Sequence, residues 1–313
     1  MEIKPAIYNK ESSTQWDLFV KSSKNATFLM HRDFIEYHKD RITDFSLIFT
    51  IKGKIIGLLP ANSINHDSIY SHQGLTYGGI ITNESMSASL MLDLFGTLKA
   101  FLSQQGFKEF IYKPIPHIYH RIPSEEDLYA LYRNQAELIS RNISSCIYYD
   151  TSISYAQLRK RGIKKAQNKG LSISESDNFA MFWQILETNL MQRHNAEPVH
   201  SLAEIEYLKS KFPTQIRLFE VKNGDQTVGG CVAFDTDRVV HIQYISASEE
   251  GRQQGALDYL FDHLIQKAQS ACKHFDFGTS TEHGGTILNE GLISQKEGFG
   301  ARGIVYDTYR IKL

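Results

Sequence analysis

The chain has 313 residues, which is enough for one large domain or for two ordinary domains with substantial cores. Hydrophobic residues make up 42% and charged residues 22%, a composition typical of a globular protein and unlike that of a long disordered segment. The net charge of −1 at pH 7 excludes a global field that attracts nucleic acid or an anionic membrane, so any basic site has to be local.

The cysteines and the apolar runs are typical of a protein from a reducing compartment. Cys146, Cys231 and Cys272 are scattered and odd in number, and no C-x-x-C pair indicates a zinc site. The first residues lack the apolar run of a signal peptide, and no stretch reaches the length of a membrane span. We therefore expect a soluble cytoplasmic protein without a metal site, membrane insertion or DNA as a partner.

The first half is predicted to run from helices through three strands to a long helix and a last strand. The segments are, in order, helices near 12–20 and 34–35, a hairpin in 46–61, an extended stretch over 69–80, a helix over 86–105 and a strand over 107–114. The hairpin turns near Lys52 and Gly53, and apolar residues recur at helical spacing in the long helix until Gly106.

The second half repeats this order. The segments are helices over 178–194 and 201–211, a hairpin in 214–234, a strand over 239–248, a helix with an apolar face over 257–268 and a strand over 272–278. Asn223 and Gly224 supply the hairpin turn. Because the two halves share their order of elements, we predict a duplicated α/β unit, divided as 1–150 and 151–313.

The turn after strand 239–248, ISASEEGRQQGA (245–256), is a candidate anion site. The N-terminal amides of a helix hold negative charge, Arg252 adds a cation, and Gly251 and Gly255 would let a ligand approach the backbone. Glu249 and Glu250 would repel an anion. An ordinary turn in which Ser248 caps the helix accounts for the same residues. The residues alone leave both interpretations open.

Three longer stretches resemble a known family. They are KPIPHIYHRIPSEEDLYALYR (113–133), RKRGIKKAQNKG (159–170) and FDFGTSTEHGGTILNEGLISQKEGFG (275–300). Together they resemble the GNAT-type acyltransferases, in particular the duplicated branch that includes the Fem aminoacyltransferases of peptidoglycan synthesis. The resemblance implies an α/β (α+β) fold of two tandem GNAT-like units, each a mixed, largely antiparallel sheet flanked by helices.

The resemblance also implies where the acyl donor binds. In the family, the third strand and the following helix form the donor cleft, here a notch between strand 239–248 and loop 279–300 in the second unit. The implied donor-binding residues are Gln243, Ser246, Ser248, Arg252 and Gly255. Simple GNAT acetyltransferases carry R/Q-x-x-G-x-G/A around the coenzyme pyrophosphate, whereas Leu257 stands at the last small position here. Acyl-CoA is the expected co-substrate. Because of this departure, the donor is either an acyl-CoA whose acyl group need not be acetyl or a charged tRNA.

Two residues are predicted to be catalytic. The resemblance places Lys296 near the reacting carbonyl or the phosphates of the acceptor, where a lysine stabilises a tetrahedral oxyanion. His241 alternates along the third strand with Gln243 on the same face, and histidine suits the role of a general base. A hydrogen-bonded structural histidine explains His241 equally well.

The acceptor is predicted to meet several basic, aromatic and small polar residues. They are Lys113, His117, Tyr119, Arg161, Lys164, Arg193, His194, His200, Ser280 and Asn289. The basic run 159–169 has two interpretations, a solvated helix face and a phosphate-binding surface for a nucleotide-linked acceptor or a tRNA stem. Asp276 is expected to anchor the turn at the end of its strand.

The sequence thus predicts an N-acyltransferase that moves an acyl group from acyl-CoA to an amine on a small phosphate-bearing or amino-sugar envelope precursor, such as a nucleotide-activated sugar. No cysteine has an evident His-Asp partner, so direct attack without an acyl-enzyme is expected. The alternatives are a Fem-like enzyme that uses aminoacyl-tRNA, and a GNAT-like binding module without turnover.

Overall fold

The computed structural model describes residues 2–271 and 273–313, and it leaves the side chains of His38 and His194 undescribed. Cys272 therefore lies outside the described residues. The chain divides into two units. Unit 1 is the chain up to Asn142 with Thr281–Ile287 and Val305–Leu313, and unit 2 is Ile143–Ser280 with Leu288–Ile304. This differs from the expected division at residue 150, because two late segments pack within unit 1.

The elements of the first half are mostly short strands around one long helix. They are β1 Lys4–Ile7, α1 Ser13–Ser22, α2 Arg32–Ile35, β2 Thr43–Asp44, β3 Leu47–Ile51, β4 Lys54–Leu59, β5 Asn62–Ser63, β6 Ser68–Tyr70, β7 Ile81–Thr82, α3 Ala88–Gln104, β8 Glu109–Tyr112, α4 Glu126–Arg133 and β9 Glu137–Tyr148. The hairpin turn is at Lys52 and Gly53, whose positive φ angles of 48° and 77° suit a two-residue turn.

The elements of the second half are longer. They are α5 Gln157–Asn168, β10 Ser172–Ser176, α6 Ala180–His194, α7 Leu202–Lys211, β11 Ile216–Asn223, β12 Gln226–Asp235, β13 Val239–Ala247, α8 Glu249–Gln254, α9 Ala256–Gln269, β14 His274–Thr279, β15 Thr281–Glu282, β16 Ile287–Leu288, α10 Glu290–Glu297 and β17 Arg302–Lys312. Ser201 and Glu204 form a reciprocal cap that begins α7.

Unit 1 has a four-stranded sheet, a second set of paired strands and a buried apolar cluster. The four-stranded sheet has the strand order β1-β3-β4-β7, and in the second set β8 lies between β6 and the last strand of the chain, β17. Helix α3 supplies Met91, Leu94 and Leu98 to the cluster, as its apolar spacing predicts. The β6–β8 pair is parallel.

The predicted third strand of unit 1, over 69–80, is wrong as a single element. The chain forms β6 beside β8, leaves that sheet, and joins the other sheet as β7 beside β4. Gly79 lies between them with φ of +83°, and a Cβ there would lie 2.9 Å from the Tyr112 hydroxyl. That hydroxyl accepts a hydrogen bond from the Ile80 amide at 2.8 Å and donates one to Asp127 at 2.6 Å. The buried Tyr112 side chain of β8 therefore contacts the segment that leads into β7.

Unit 2 has one sheet with the strand order β10-β11-β12-β13-β14-β9, where β9 contributes its end after Asn142. All its neighbouring strands are antiparallel except β13 and β14, which are parallel. Helix α9 packs Leu260, Phe261 and Leu264 into the core on this sheet. The predicted mixed, largely antiparallel sheets flanked by helices are confirmed.

Candidate functional site

The parallel strands β13 and β14 of unit 2 pair with each other over a short distance and then separate, each staying paired with its other neighbour. Their register runs from Val239 opposite His274 to His241 opposite Asp276. Beyond that pair, β13 continues with β12 as far as Ala247, whereas β14 continues with β9 as far as Thr279. A split between parallel strands at their carboxyl ends is a common position for a ligand in α/β sheets.

A pocket of about 210 Å³ lies at this split. Its walls come from α6, β13, α8, α9, β14 and α10. Its apolar lining is Leu186, Leu190, Ile245, Ala247, Leu257, Phe261, Phe277 and Leu292. Its polar lining is Asn189, Arg193, Ser246, Arg252, Gln295 and Lys296. The sequence predicts a notch between this strand and this loop.

Lys296 is the buried cation of the pocket. It lies in α10, which Asn289 caps by accepting from the Leu292 amide at 3.0 Å. The Lys296 ammonium donates to the carbonyl oxygens of Gly278 at 2.7 Å and Thr279 at 2.8 Å. Burial lowers the pKa of Lys296 to about 8, and the charge of Asp276 acts in the opposite direction. An ammonium has three N–H groups, so one remains for a pocket ligand.

Asp276 connects three strands beside this lysine. One carboxylate oxygen accepts from the Ser144 hydroxyl at 2.5 Å and from the Gly278 amide at 3.2 Å. The other lies 2.8 Å from Nδ1 of His241. Asp276 is fully buried, whereas the His241 side chain is 12% exposed. Within the described residues the His241 Nε2 atom has no hydrogen-bond partner, and His241 is not among the residues that line the pocket.

Most residues that line the pocket lie in the part of the chain that matches a family model, whereas Leu292, Gln295 and Lys296 lie beyond it. Residues 156–283 match the model described as "Acetyltransferase (GNAT) domain". This part of the chain, less than half of its length, is therefore similar to GNAT-type acetyltransferases. A search of curated proteins found no match.

Solved structures resemble the whole chain in fold. A FemX structure is 12% identical with a TM-score of 0.69, covering 100% of this chain and 98% of that one. A structure of L-PGS from Bacillus licheniformis is 13% identical with a TM-score of 0.62, covering 98% and 92%. A tandem GNAT protein from the clavulanic acid biosynthesis pathway is 9% identical with a TM-score of 0.54, covering 99% and 98%. Two tandem GNAT-like units with a Fem relative, as predicted, are confirmed at the level of fold.

Two predicted donor-binding residues, Ser246 and Arg252, line the pocket. Ser246 accepts a hydrogen bond from the Asn189 amide group at 2.6 Å. Arg252 donates to the Asn189 side-chain oxygen at 3.1 Å, to the Ala247 carbonyl at 2.6 Å and to Glu249 at 2.6 Å. The polar groups on this wall therefore bond mainly to one another.

The other predicted donor-binding residues have structural contacts. Ser248 caps α8, because its hydroxyl accepts from the Gly251 amide at 3.1 Å and donates to the Val228 carbonyl at 3.1 Å. Gln243 is the extra residue of a bulge in β13, which interrupts the strict alternation assumed for His241 and Gln243. Gly255 has φ of +81° and faces the backbone of α5.

Replacing Gly255 by alanine is expected to destabilise the fold. A Cβ there would lie 2.5 Å from the Gly162 carbonyl oxygen, so backbone would have to move. We expect a loss of about 3 kcal/mol in the free energy of unfolding, about 1 from the positive φ and about 2 from the contact. Gly170→Ala is the matched control, since Gly170 has φ of +74° and open space around it. Equal losses for the two variants, measured by urea unfolding, would contradict a packing role.

The predicted acceptor residues of unit 2 fall into two groups. Arg193 lines the pocket, Ser280 is buried beside the carbonyls that bind Lys296, and Asn289 caps α10. His200 lies 2.5 Å from the Tyr244 hydroxyl and is buried. The others are exposed or undescribed: Arg161 and Lys164 lie exposed on α5, and the His194 side chain is outside the described residues.

The predicted acceptor residues of unit 1 belong to the segment after β8. Lys113 donates to the carbonyls of Leu75 and Gln73, and burial lowers its pKa to about 8. Tyr119 is buried, with its hydroxyl 3.0 Å from that of Tyr306, and His117 is exposed. The Lys113 and Tyr119 contacts lie inside the unit, and a role toward a ligand stays a prediction for all three.

Sequence reasoning missed most of the pocket wall from α6 and α10. Leu186, Asn189 and Leu190 line it from α6, together with Arg193, at the spacing of one helix face. That spacing was the available signal. Ser144 was also missed, because its bond to Asp276 joins residues 132 positions apart.

The described residues contain neither a candidate metal site nor a helix suited to cross a membrane. Among them, no three His, Cys, Asp or Glu residues are grouped so that they could hold a metal ion. None of the described helices combines the length and the apolar character that crossing a membrane requires.

Proposed function

We propose that the chain is an N-acyltransferase that transfers an acyl group from an activated ester or thioester to the amine of a small acceptor. The observation that carries the proposal is Lys296, a buried ammonium held by two backbone carbonyls in a pocket at the split of β13 and β14. Such a fixed donor stabilises charge that appears on a carbonyl oxygen only in the transition state.

The chemistry follows from the two predicted catalytic residues. The acceptor amine attacks the donor carbonyl carbon, and the third N–H of Lys296 donates to the oxyanion that forms. Asp276, as an acceptor of three hydrogen bonds, keeps the proton of His241 on Nδ1, so Nε2 takes the proton that the amine loses. The carbon–sulfur or carbon–oxygen bond then breaks, and the leaving group receives the proton that the Nε2 atom took from the amine. The product is an amide, and no acyl-enzyme forms.

Acyl-CoA is the first candidate donor, as the tandem GNAT fold suggests. Aminoacyl-tRNA is the second, and one observation weighs against the coenzyme. The turn that would meet a coenzyme pyrophosphate carries Glu249 and Glu250 in the first turn of α8, and Arg252 there is bonded to Glu249. An acidic turn opposes a pyrophosphate. Both donor classes belong to the cytoplasm, where we place the protein.

The acceptor is proposed to be an amino sugar or another phosphate-bearing envelope precursor, possessing a free amine. Cationic side chains support this class. Arg193 lines the pocket, and Arg161 and Lys164 are exposed on α5. Charge-assisted bonds to phosphate are the natural use of such groups.

Thermal-shift measurements with the purified chain separate the donor candidates, because binding raises apparent stability. Stabilisation by acyl-CoAs supports the first donor, and stabilisation by charged but not uncharged tRNA supports the second. Each positive donor is then incubated with UDP-amino sugars, and amide products are sought by mass spectrometry. Binding without product for every pair would overturn the enzymatic proposal and leave a binding module.

The proposed role of Lys296 fixes the sign of the pH dependence. Its ammonium is the hydrogen-bond donor, and with a pKa of about 8 this form predominates below pH 8. We expect kcat/KM to fall as pH rises through about 8, measured with two acceptors whose amines differ in pKa. The fall should stay at the same pH for both acceptors. A rate that rises through this range without a fall would contradict the role.

A further inference from the structure

The pocket lining is more apolar than a small acyl group needs. Eight of the fourteen lining residues are Leu, Ile, Ala or Phe, contributed by five elements of unit 2. The polar residues Asn189, Ser246 and Arg252 bond to one another on one wall. A ligand group in contact with these walls therefore meets hydrocarbon, with the Lys296 ammonium as the buried charge.

The pocket is also larger than a small acyl group needs. Its volume is about 210 Å³. An apolar protein cavity of about 150 Å³ holds benzene, which has six carbon atoms. The methyl group of an acetyl donor would leave most of such a space unfilled, and unfilled apolar space forfeits dispersion contacts.

Leu257 connects the size of the pocket with the sequence. It stands where simple acetyltransferases have Gly or Ala, and its side chain lines the pocket together with Phe261 from the next turn of α9. Leu292 faces the same space from α10. The departure from the acetyl-CoA motif thus adds a hydrocarbon wall.

We infer that this pocket selects an apolar acyl group of about six to nine carbons, whose carbonyl oxygen is bound by Lys296. The inference rests on the proposed acyl transfer and names the class of its donor. Acetyl and other short or charged acyl groups are then poor substrates, because they leave the apolar lining unfilled or bury a charge beside it.

Primary amides test this without assuming any donor or turnover. Propanamide, butanamide, hexanamide, octanamide and decanamide carry the same carbonyl and differ only in chain length. We expect the dissociation constant, measured by ligand-observed NMR, to fall two- to fourfold per added CH₂ up to about octanamide and then to level off. A series without length dependence, or tightest binding by propanamide, would overturn the inference.

Substitutions of leucines in the pocket wall show whether the amides bind in this pocket. Leu257→Trp and Leu292→Trp are both expected to weaken octanamide binding at least tenfold while leaving propanamide within twofold. Both leucines are only partly buried, which favours folded variants. Leu158→Trp is the matched control, since Leu158 is 58% exposed on α5. Unchanged octanamide binding in folded Leu257→Trp would place the amides elsewhere and overturn the inference. If both variants fail to fold, the wild-type length series decides.

Measurements of product formation distinguish a failure of this inference from a failure of the proposed function. Length-dependent amide binding with no product from any donor would sustain the apolar pocket and remove the transferase. Product from acetyl-CoA at rates equal to those from octanoyl-CoA would sustain the transferase and remove the chain-length selection.

Discussion

Lys296→Met is expected to lower kcat by about 10²- to 10³-fold with little change in KM for the donor. The magnitude is that of removing one donor to a developing oxyanion. The ammonium is positioned by the carbonyls of Gly278 and Thr279, so its contribution is made mainly in the transition state. Methionine keeps a similar length and apolar stem, so the pocket wall should persist. Steady-state kinetics with the donor that stabilises the wild-type protein measures both parameters.

Controls for this variant address surface charge and folding. Lys10→Met removes a positive charge from an exposed position and should leave kcat within twofold. Circular dichroism and thermal unfolding establish whether Lys296→Met is folded. A folded Lys296→Met enzyme with wild-type kcat would exclude the lysine from the chemistry.

Asp276→Asn is expected to lower kcat by about 10²- to 10⁴-fold through the tautomer of His241. Replacing the aspartate of a serine-protease triad by asparagine drops the rate by about 10⁴ for this reason. An amide group can donate to Nδ1, which moves the ring proton to Nε2 and removes the base. Nitrogen-15 NMR of labelled histidine reads the tautomer directly, with His241→Gln used to assign the signal. The Nδ1–H form should predominate in wild type and the Nε2–H form in the variant.

Ser144→Ala is the control that distinguishes a change in the His241 tautomer from a general loss of structure around Asp276. Ser144 bonds the carboxylate oxygen that His241 does not contact, so its removal should leave the tautomer unchanged and lower kcat by less than tenfold. Wild-type activity in a folded Asp276→Asn protein with the altered tautomer would show that His241 is not the base.

Local sequence signals predicted the periodic elements well. Helices α3 and α9 have regular apolar spacing, and the hairpins have short turn sequences, so both kinds of element are encoded within a few residues. The stretch 69–80 was misjudged, because its path depends on the close approach of Gly79 to Tyr112, which lies 33 residues later. Strand propensity alone carries no information about such a contact.

Part of the candidate site was predictable from single residues. Lys296 and Arg252 do line one pocket, and the resemblance pointed to both. Gly255 was read as room for a ligand, whereas the space beside it is taken by the backbone at Gly162. A glycine signals close approach but does not reveal what approaches. The Ser144–Asp276–His241 arrangement depends on the pairing of β9, β14 and β13, and strand order is not written in local sequence.

The buried side chain of Tyr112, at the end of β8, bears on binding stoichiometry. A chain built from two similar halves invites the expectation of two equivalent donor sites. In unit 1 the hydroxyl of Tyr112 is instead committed to Ile80 and Asp127, and the side chain is wholly enclosed. Calorimetric titration should therefore saturate at one donor per polypeptide.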